Sequence, residues 1–567
     1  MSDQHGYDPT AYRRVFEQQF TYLAGFRRNV HRYARTPAVH DPDTGTSLTY
    51  AELGDLADQL ARALQAAGVG RRDVVAYQLP NEPEFVLLYL ATQMLGAVGA
   101  PVNFRLSPGE TAHVLDDSRP AVFVYDAAFA PAATGALELA DHRPATLVRV
   151  GDGGDAAGDA ATGGVGGAAG VVGFDDFLAT GSGAPPVVEP ERSIYDETTR
   201  LYTSGTTGMP KGVPLCSVAE VLSAHDVIMH FPLAPDDRTL NMTPWFHRGG
   251  LHSGGPCPAL YVGAQVVPLR RFDPERVLDL VEQLGLTYLI GAPTTLAMLA
   301  EAQEQRSRDL GTLRGIVTMG APLEREACLR YQRVLTPRIF NGYGTTEAFW
   351  NTFLRPADLP DHAGSAGRAC TDDDVVVVRL GADGPETPDA PVAKDGKELG
   401  EVAVRSPKAS YAYWRNPGEQ AANFRDGWLY IGDLATWDAD EYVTIVGRSD
   451  DMIISGGENV HPVQVEEVLD QHPGVGDAAV VGLADERWSQ IVVAYVVRSD
   501  PGVTADELDA HCRDHPMLAS FKRPRAYCFV DELPLTATGK KMHFRLRAQA
   551  PDDAAAGRFE RPAGTAG

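Results

Sequence analysis

The chain has 567 residues, which at about 150 residues per domain implies roughly three or four structural units. Its 44% hydrophobic and 22% charged residues are ordinary globular values and exclude a mainly disordered, collagenous or coiled-coil chain. The 50 Lys and Arg against 76 Asp and Glu leave a net charge of −26, which opposes non-specific binding to nucleic acid or anionic lipid, while one local basic pocket for a phosphorylated ligand is compatible with it.

The N-terminus, MSDQHGYDPTAYRRVFEQQF, has no apolar core of signal-peptide length, and no run of about 18 apolar residues occurs anywhere. A cytoplasmic protein without a membrane span is expected. Six cysteines with no Cys-x-x-Cys pair are too few for a disulfide framework, so free thiols are expected. Thr49 and Glu52 have capping-box spacing and introduce a helical pattern, Leu53, Leu56, Leu60 and Leu64, that ends at Gly68. Val74 to Leu79 reads as a buried strand, Phe85 to Leu95 as an apolar helix, and Val98 to Val102 as a short strand. Strand, helix, strand at this spacing predicts a parallel α/β sheet. Residues 151–173 are almost all Gly, Ala and Asp, too poor in large side chains for a core, and read as a flexible surface loop. The glycines at 164–167 only superficially resemble a dinucleotide fingerprint, since no strand precedes them. The α/β pattern resumes near Leu201. From about 372 to 447 short strands, at Val375–Val378, Gly400–Val404 and Tyr442–Ile445, predict a β-rich subdomain. Residues 448–567 then read as a small α+β domain, with a helix at Val463–Leu469, strands at Ala478–Val481 and Ile491–Val497, and a helix at Ala505–Arg513.

The strongest chemical signal is Thr203-Ser204-Gly205-Thr206-Thr207-Gly208-Met209-Pro210-Lys211. Glycines let backbone N–H groups approach an anion, hydroxyls donate further hydrogen bonds, and Lys211 adds positive charge. These are the parts of a polyphosphate cradle, although no Gly-Lys-Ser/Thr P-loop is present. Four further segments follow in order: Pro244-Trp245-Phe246-His247, Asn341-Gly342-Tyr343-Gly344-Thr345-Thr346-Glu347, Gly427 to Asp433, and Pro534 to Lys540.

With these five segments the chain resembles the adenylate-forming superfamily, which includes acyl- and aryl-CoA ligases, peptide-synthetase adenylation domains and luciferase. The resemblance covers nearly the whole chain and looks nearest to the acyl- and aryl-acid CoA ligases. It implies a large N-terminal domain, 1–447, of two α/β sheet subdomains and the β-rich one, and a mobile small α+β domain, 448–567, hinged at Asp450. It implies that ATP lies among Thr203, Ser204, Gly205, Thr206, Thr207, Gly208, the Gly320-Ala321-Pro322 loop, Asn341, Tyr343, Gly344, Asp433 and Arg448. Tyr343 would stack on adenine, Asn341 would bond its amino edge, and Asp433 with Arg448 would take the ribose. Thr346 would contact the α-phosphate and Glu347 would help hold Mg²⁺. Lys540 would bridge the acid and the α-phosphate, and Lys211 would offset phosphate charge. His247 with Phe246 would line the acid tunnel, joined by Arg248, His252, Met319, Phe349 and Trp350, and Gly456 and Gly457 would line a thiol tunnel. Lys522, Arg523 and Arg525 are candidates for the phosphates of coenzyme A.

The implied reaction converts a carboxylic acid, aryl or of medium size, to an acyl-adenylate with release of pyrophosphate, and then to a CoA thioester with release of AMP. Two other outcomes use the same ATP machinery: loading of a carrier protein, or activation of nitrite to diazotise an aryl amine. Arg248 motivates the last, since an extra cation suits a second anion or a small oxyanion; a simple pairing with a surface acid is its other reading. The expected partners are thus a small acid, ATP and CoA, without nucleic acid, in a monomer or homodimer.

Overall fold

A computed structural model describes residues 8–151, 170–187, 192–204, 209–381, 384–448, 451–534 and 541–563. The helix at Tyr50–Ala66 starts at the expected capping box. Thr49 Oγ1 accepts from the Glu52 amide at 3.2 Å, and the Thr49 amide donates to Glu52 Oε2 at 2.9 Å. The next helix, Pro83–Leu95, is buried along its length because its apolar residues go all the way round. It packs on Tyr50–Ala66 inside the largest core, which includes Phe26, Phe85, Leu88, Val227 and Trp245.

Two sheets flank this core. The first has seven strands, in the order Val172–Gly173, Thr146–Val150, Val122–Asp126, Val74–Gln78, Val98–Pro101, Glu197–Ser204 and Pro210–Cys216. All neighbours are parallel except the last pair. The expected loop at 151–173 is corrected at its end: Val172–Gly173 is an edge strand, with Val172 paired to Val148. An edge strand needs only one backbone partner, and the β-branched Val171-Val172 pair supplies β propensity that the glycine-rich composition hides. Residues 152–169, including the 164–167 glycines, lie outside the described residues.

The second sheet has nine strands. Five parallel ones, Ile339–Thr345, Gly315–Met319, Tyr288–Gly291, Arg238–Asn241 and Gln265–Val267, are followed by Pro37–His40, with antiparallel strands at both edges. Parallel sheets leave their ligand crevice outside the carboxyl ends of the strands. Asn241, Gly291, Met319 and Thr345 are those ends, and the cleft lies there.

Residues 374–448 form a five-stranded antiparallel sheet around Trp428–Trp437. A last five-stranded sheet, built on Val475–Asp485 and Ser489–Arg498, carries the helices Pro462–Asp470, Ala505–Asp514 and His543–Ala555. The architecture is a large N-terminal α/β domain with a small C-terminal α+β domain. The two touch where the Gly109 amide donates to the Pro516 carbonyl at 3.0 Å and buried Lys522 pairs with buried Glu110. All six cysteines are free thiols, and no helix among the described residues is long and apolar enough to cross a membrane.

Candidate active site

At the carboxyl ends of the second sheet lies a cavity of about 660 Å³, closed on its other side by residues of the C-terminal domain. Thr203, Lys211, His247, Arg248, Met319, Gly320, Ala321, Pro322, Asn341, Tyr343, Gly344, Thr346, Glu347, Phe349, Trp350, Asp433, Arg448 and Gly457 all line it. Residues as far apart in the sequence as Asn103 and Lys522 are thereby brought to one chamber. Gly205, Thr206, Thr207, Gly208, Asp450 and Lys540, with the side chain of Ser204, lie outside the described residues.

One wall is polar. Asp433 and Arg448 are register partners on antiparallel strands, and Arg448 Nη1 donates to Asp433 Oδ1 at 2.8 Å. Tyr343 Oη donates to the other oxygen, Oδ2, at 2.6 Å, and burial together with the Asp433 carboxylate pushes the phenol well above its ordinary range. Asp433 is buried, and these donors hold its carboxylate in one orientation. Asn341 uses its Nδ2 on the Ser365 carbonyl at 3.2 Å.

Gly344 stands where the strand Ile339–Thr345 turns back into Phe349–Leu354. A Cβ there would fall 1.6 Å from the Phe349 carbonyl oxygen, so no side chain fits. Phe349 itself has φ 62°, a left-handed conformation rare for an aromatic residue, and strain of this kind concentrates at functional sites. Its ring stacks on Trp350 at 4.8 Å and 15°, making an aromatic wall beside Met319.

Glu347 is 6% exposed and accepts from Tyr413 Oη at 2.6 Å. Lys211 Nζ pairs with Glu419 Oε2 at 2.9 Å and sits 4.2 Å over the Tyr413 ring. Tyr413 therefore touches both the acidic and the basic group expected at the phosphates. No motif in the sequence flagged it; the aromatic pair Tyr413-Trp414 was the only trace.

The C-terminal domain enters through the hairpin Ile453–Ser455 and Glu458–Val460. Glu458 is buried and receives Arg105 Nη1 at 2.8 Å and Asn103 Nδ2 at 3.3 Å, with His247 Nε2 3.3 Å away. Burial alone would raise its pKa, but His247 and Arg105 outweigh that and hold the carboxyl below its usual range. Glu458 directly follows the two glycines that the resemblance implies at a thiol tunnel, and no motif in the sequence gives it a role. Of the described residues flanking Lys540, neither Pro534 nor Lys541 lines the cavity; Lys541 instead pairs with Asp477 at 2.9 Å.

Five expectations are corrected. Phe246 is 2% exposed and packs edge-on against Phe104 at 5.1 Å, off the cavity; Pro244–His247 is a turn closed by the His247 amide on the Pro244 carbonyl at 3.1 Å, and His247 takes the cavity side. His252 is fully buried behind Phe349, with ring centroids 5.9 Å apart, and burial with the nearby Arg248 charge drives its pKa well down. It lies one helical turn after Arg248; Arg248, Gly249 and Ser253 line the cavity and His252 does not. Gly456 packs beneath Trp488 rather than along the cavity. Lys522 lines the cavity but is buried and paired with Glu110 and Gln464, and Arg523 pairs with Asp509 at 3.1 Å, so both cations already have partners within the protein. Arg248, finally, pairs with no surface acid among the described residues. It is 2% exposed, and its terminal nitrogens donate to the carbonyls of Thr346 at 2.6 Å and Lys408 at 2.9 Å.

Two family models match the chain. The model described as AMP-binding enzyme matches residues 26–414, and that described as AMP-binding enzyme C-terminal domain matches 464–540. The chain is 36% identical to a feruloyl-CoA synthase of Amycolatopsis sp, over 89% of this chain and 94% of that protein. It is likewise 36% identical to an indoleacetate–CoA ligase of Aromatoleum aromaticum, over 87% and 91%. Among solved structures it resembles an o-succinylbenzoate CoA synthetase from Bacillus subtilis bound with a product analogue, with TM-score 0.78, 26% identity, and 92% and 98% of the two chains covered. The chain belongs to the AMP-binding enzyme family, the adenylate-forming superfamily, and is an AMP-forming acid–CoA ligase by class.

Proposed function

We propose that this enzyme joins an aryl-bearing carboxylic acid to the thiol of coenzyme A through an acyl-adenylate. The observation that carries the reading is the single chamber in which a polar wall, Tyr343, Asp433, Arg448 and Glu347, meets an aromatic one, Phe349 and Trp350. The first wall suits ATP. Asp433 offers carboxylate oxygens to ribose hydroxyls, with Arg448 fixing its orientation, and the Tyr343 ring offers a π face to adenine. The second suits a flat acid, a preference shared by the relatives named for feruloyl and indoleacetate substrates.

Glu347 fits as the protein's ligand to Mg²⁺, because this hard cation takes one or two carboxylates and completes its shell with phosphate and water oxygen. When bound, the ion would neutralise phosphate charge. A carboxylate is a poor acylating agent, and its attack on the α-phosphorus brings two anions together. Lys211 and Lys540 would offset that repulsion, Thr203 to Gly208 would orient the leaving phosphates, and Thr346 would hold the α-phosphate. In this reading the division at residues 447 and 448 separates two domains that rotate about Asp450, so that Lys540 serves the first step and the 453–460 hairpin the second. The entry of that hairpin into the cavity, with the flanks of Lys540 off it, supports assigning this arrangement to thiol transfer.

The cation that suggested nitrite activation, Arg248, has its terminal nitrogens on backbone carbonyls, which removes the motive for that chemistry. The test is nucleotide analysis and mass spectrometry after incubation with ATP, Mg²⁺, CoA and a panel of aryl and alkyl acids. The expected products are AMP and an aryl-CoA thioester. AMP formed only with nitrite and an aryl amine, or a thioester only on a carrier protein, displaces the proposal.

A further inference from the structure

The geometry points to Arg248 as a positioning residue, a clamp that sets Thr346 and Glu347 for the nucleotide rather than a group that binds the acid. Resting on the proposed adenylation chemistry, this assigns to Arg248 a task outside the family's signature segments. Its guanidinium is fully enclosed at the start of the short helix Arg248–His252. Nη1 donates to the Thr346 carbonyl at 2.6 Å; Nη2 donates to the Lys408 carbonyl at 2.9 Å and to Ser223 Oγ at 3.3 Å. It forms no ion pair among the described residues; burial pushes its pKa down, and the Glu347 and Glu220 charges only partly offset that.

Both carbonyls belong to segments that reach the phosphate end of the cavity. Thr346 directly precedes Glu347. Lys408 opens a strap, residues 408–414, that returns to Glu347 twice: the Ser410 amide donates to the Glu347 carbonyl at 2.8 Å, and Tyr413 Oη donates to Glu347 Oε1 at 2.6 Å. The strap then reaches the Lys211 strand, where the Trp414 amide donates to the Gly212 carbonyl at 2.8 Å. Its far side is anchored by the buried Lys408 ammonium on Asp226 at 2.9 Å and Asp373 at 3.1 Å. Arg248 thus ties the wall of the acid pocket, the Thr346-Glu347 turn and the strap together. A planar guanidinium with several fixed donors can hold two carbonyls at once; a lysine ammonium is a point charge and does not reproduce the fork.

The test compares Arg248→Leu, Arg248→Lys and Tyr413→Phe with the wild-type enzyme. The readouts are acid-dependent pyrophosphate release, the Mg²⁺ concentration for half-maximal rate, the acid KM, and the thermal shift produced by Mg·ATP without acid. Displacement of a catalytic group by about 1 Å costs on the order of 100-fold in rate. The expected result for Arg248→Leu is a loss of about that size in kcat and about a tenfold higher Mg²⁺ requirement. A reduced Mg·ATP thermal shift and an acid KM within roughly threefold of wild type should accompany it. Arg248→Lys should stay nearer to Leu than to wild type, and Tyr413→Phe should share the Mg²⁺ phenotype. A raised acid KM with unchanged Mg²⁺ and Mg·ATP responses would overturn the clamp and make Arg248 an acid-binding group. Proportional loss of every readout in step with melting temperature would reduce it to a stability role and also overturn it. Should the wild-type enzyme form no AMP with any acid, the ligase reading falls, and an unchanged Mg·ATP thermal shift in Arg248→Leu then decides against the clamp separately.

Discussion

Glu458→Ala is predicted to loosen the C-terminal domain from the cleft without unfolding either domain. The carboxylate is buried and receives Arg105 at 2.8 Å and Asn103 at 3.3 Å, both from the N-terminal domain. Two unit charges about 4 Å apart attract by about 4 kcal/mol at an effective dielectric constant of about 20. Desolvation of Glu458 opposes this, and the Arg105 side chain is 42% exposed, so solvent screens the pair. A net contribution of about 1–2 kcal/mol remains, which changes the ratio of docked to undocked molecules by roughly 5- to 30-fold. A fluorescence energy-transfer pair, one dye on each domain, reads that ratio. The pH dependence has a definite sign. The docked carboxyl titrates below its ordinary value of 4.5, so the contribution is complete above that value and is lost as the pH falls through the lowered one. Acid should therefore undock the wild-type domain and have a much smaller effect on Glu458→Ala. An unchanged docking ratio in the variant at pH 7, or the same acid response in both proteins, would refute the reasoning.

Three other variants probe separate parts of the site. Lys408→Met should cost about 3–5 kcal/mol in urea unfolding, because Asp226 and Asp373 stay buried without their cation; a loss below about 1 kcal/mol would show that the pair is not confined as the structure has it. Gly249→Ala places a methyl 2.9 Å from Met319 Sδ, a flexible group that can yield, so stability should hardly change while the acid KM rises and the ATP KM does not; a higher ATP KM would contradict this placement of the acid pocket. Lys540→Ala should abolish adenylate formation and largely spare thioester formation from a pre-made adenylate, and equal loss in both half-reactions would count against that division of labour.

Local signals were readable along the chain and long-range ones were not. The Thr49/Glu52 box marked its helix, and the mostly apolar run at 85–95 marked a buried one, because both depend on neighbours within a few residues. The Asp433 and Arg448 segments were recognisable as motifs, and the antiparallel pairing places the two face to face. Facing was harder. Phe246 and His252 sit within or beside a recognisable segment yet do not line the cavity, since the facing of a side chain in a tight turn or a short helix depends on local geometry that composition does not reveal. The edge strand Val172–Gly173 was hidden by glycine-rich neighbours. Glu458 reaches Asn103 across 355 residues and Tyr413 reaches Glu347 across 66, contacts that exist only once the sheets have brought those segments together.

The central claim is that an acid's carboxylate oxygen attacks the α-phosphorus of ATP in this cavity. Acid labelled with ¹⁸O in its carboxyl group tests it most directly, with AMP and pyrophosphate analysed by mass spectrometry after turnover with CoA. The account predicts one ¹⁸O in AMP and none in pyrophosphate. Label in pyrophosphate or inorganic phosphate, or AMP formed without label, would contradict it.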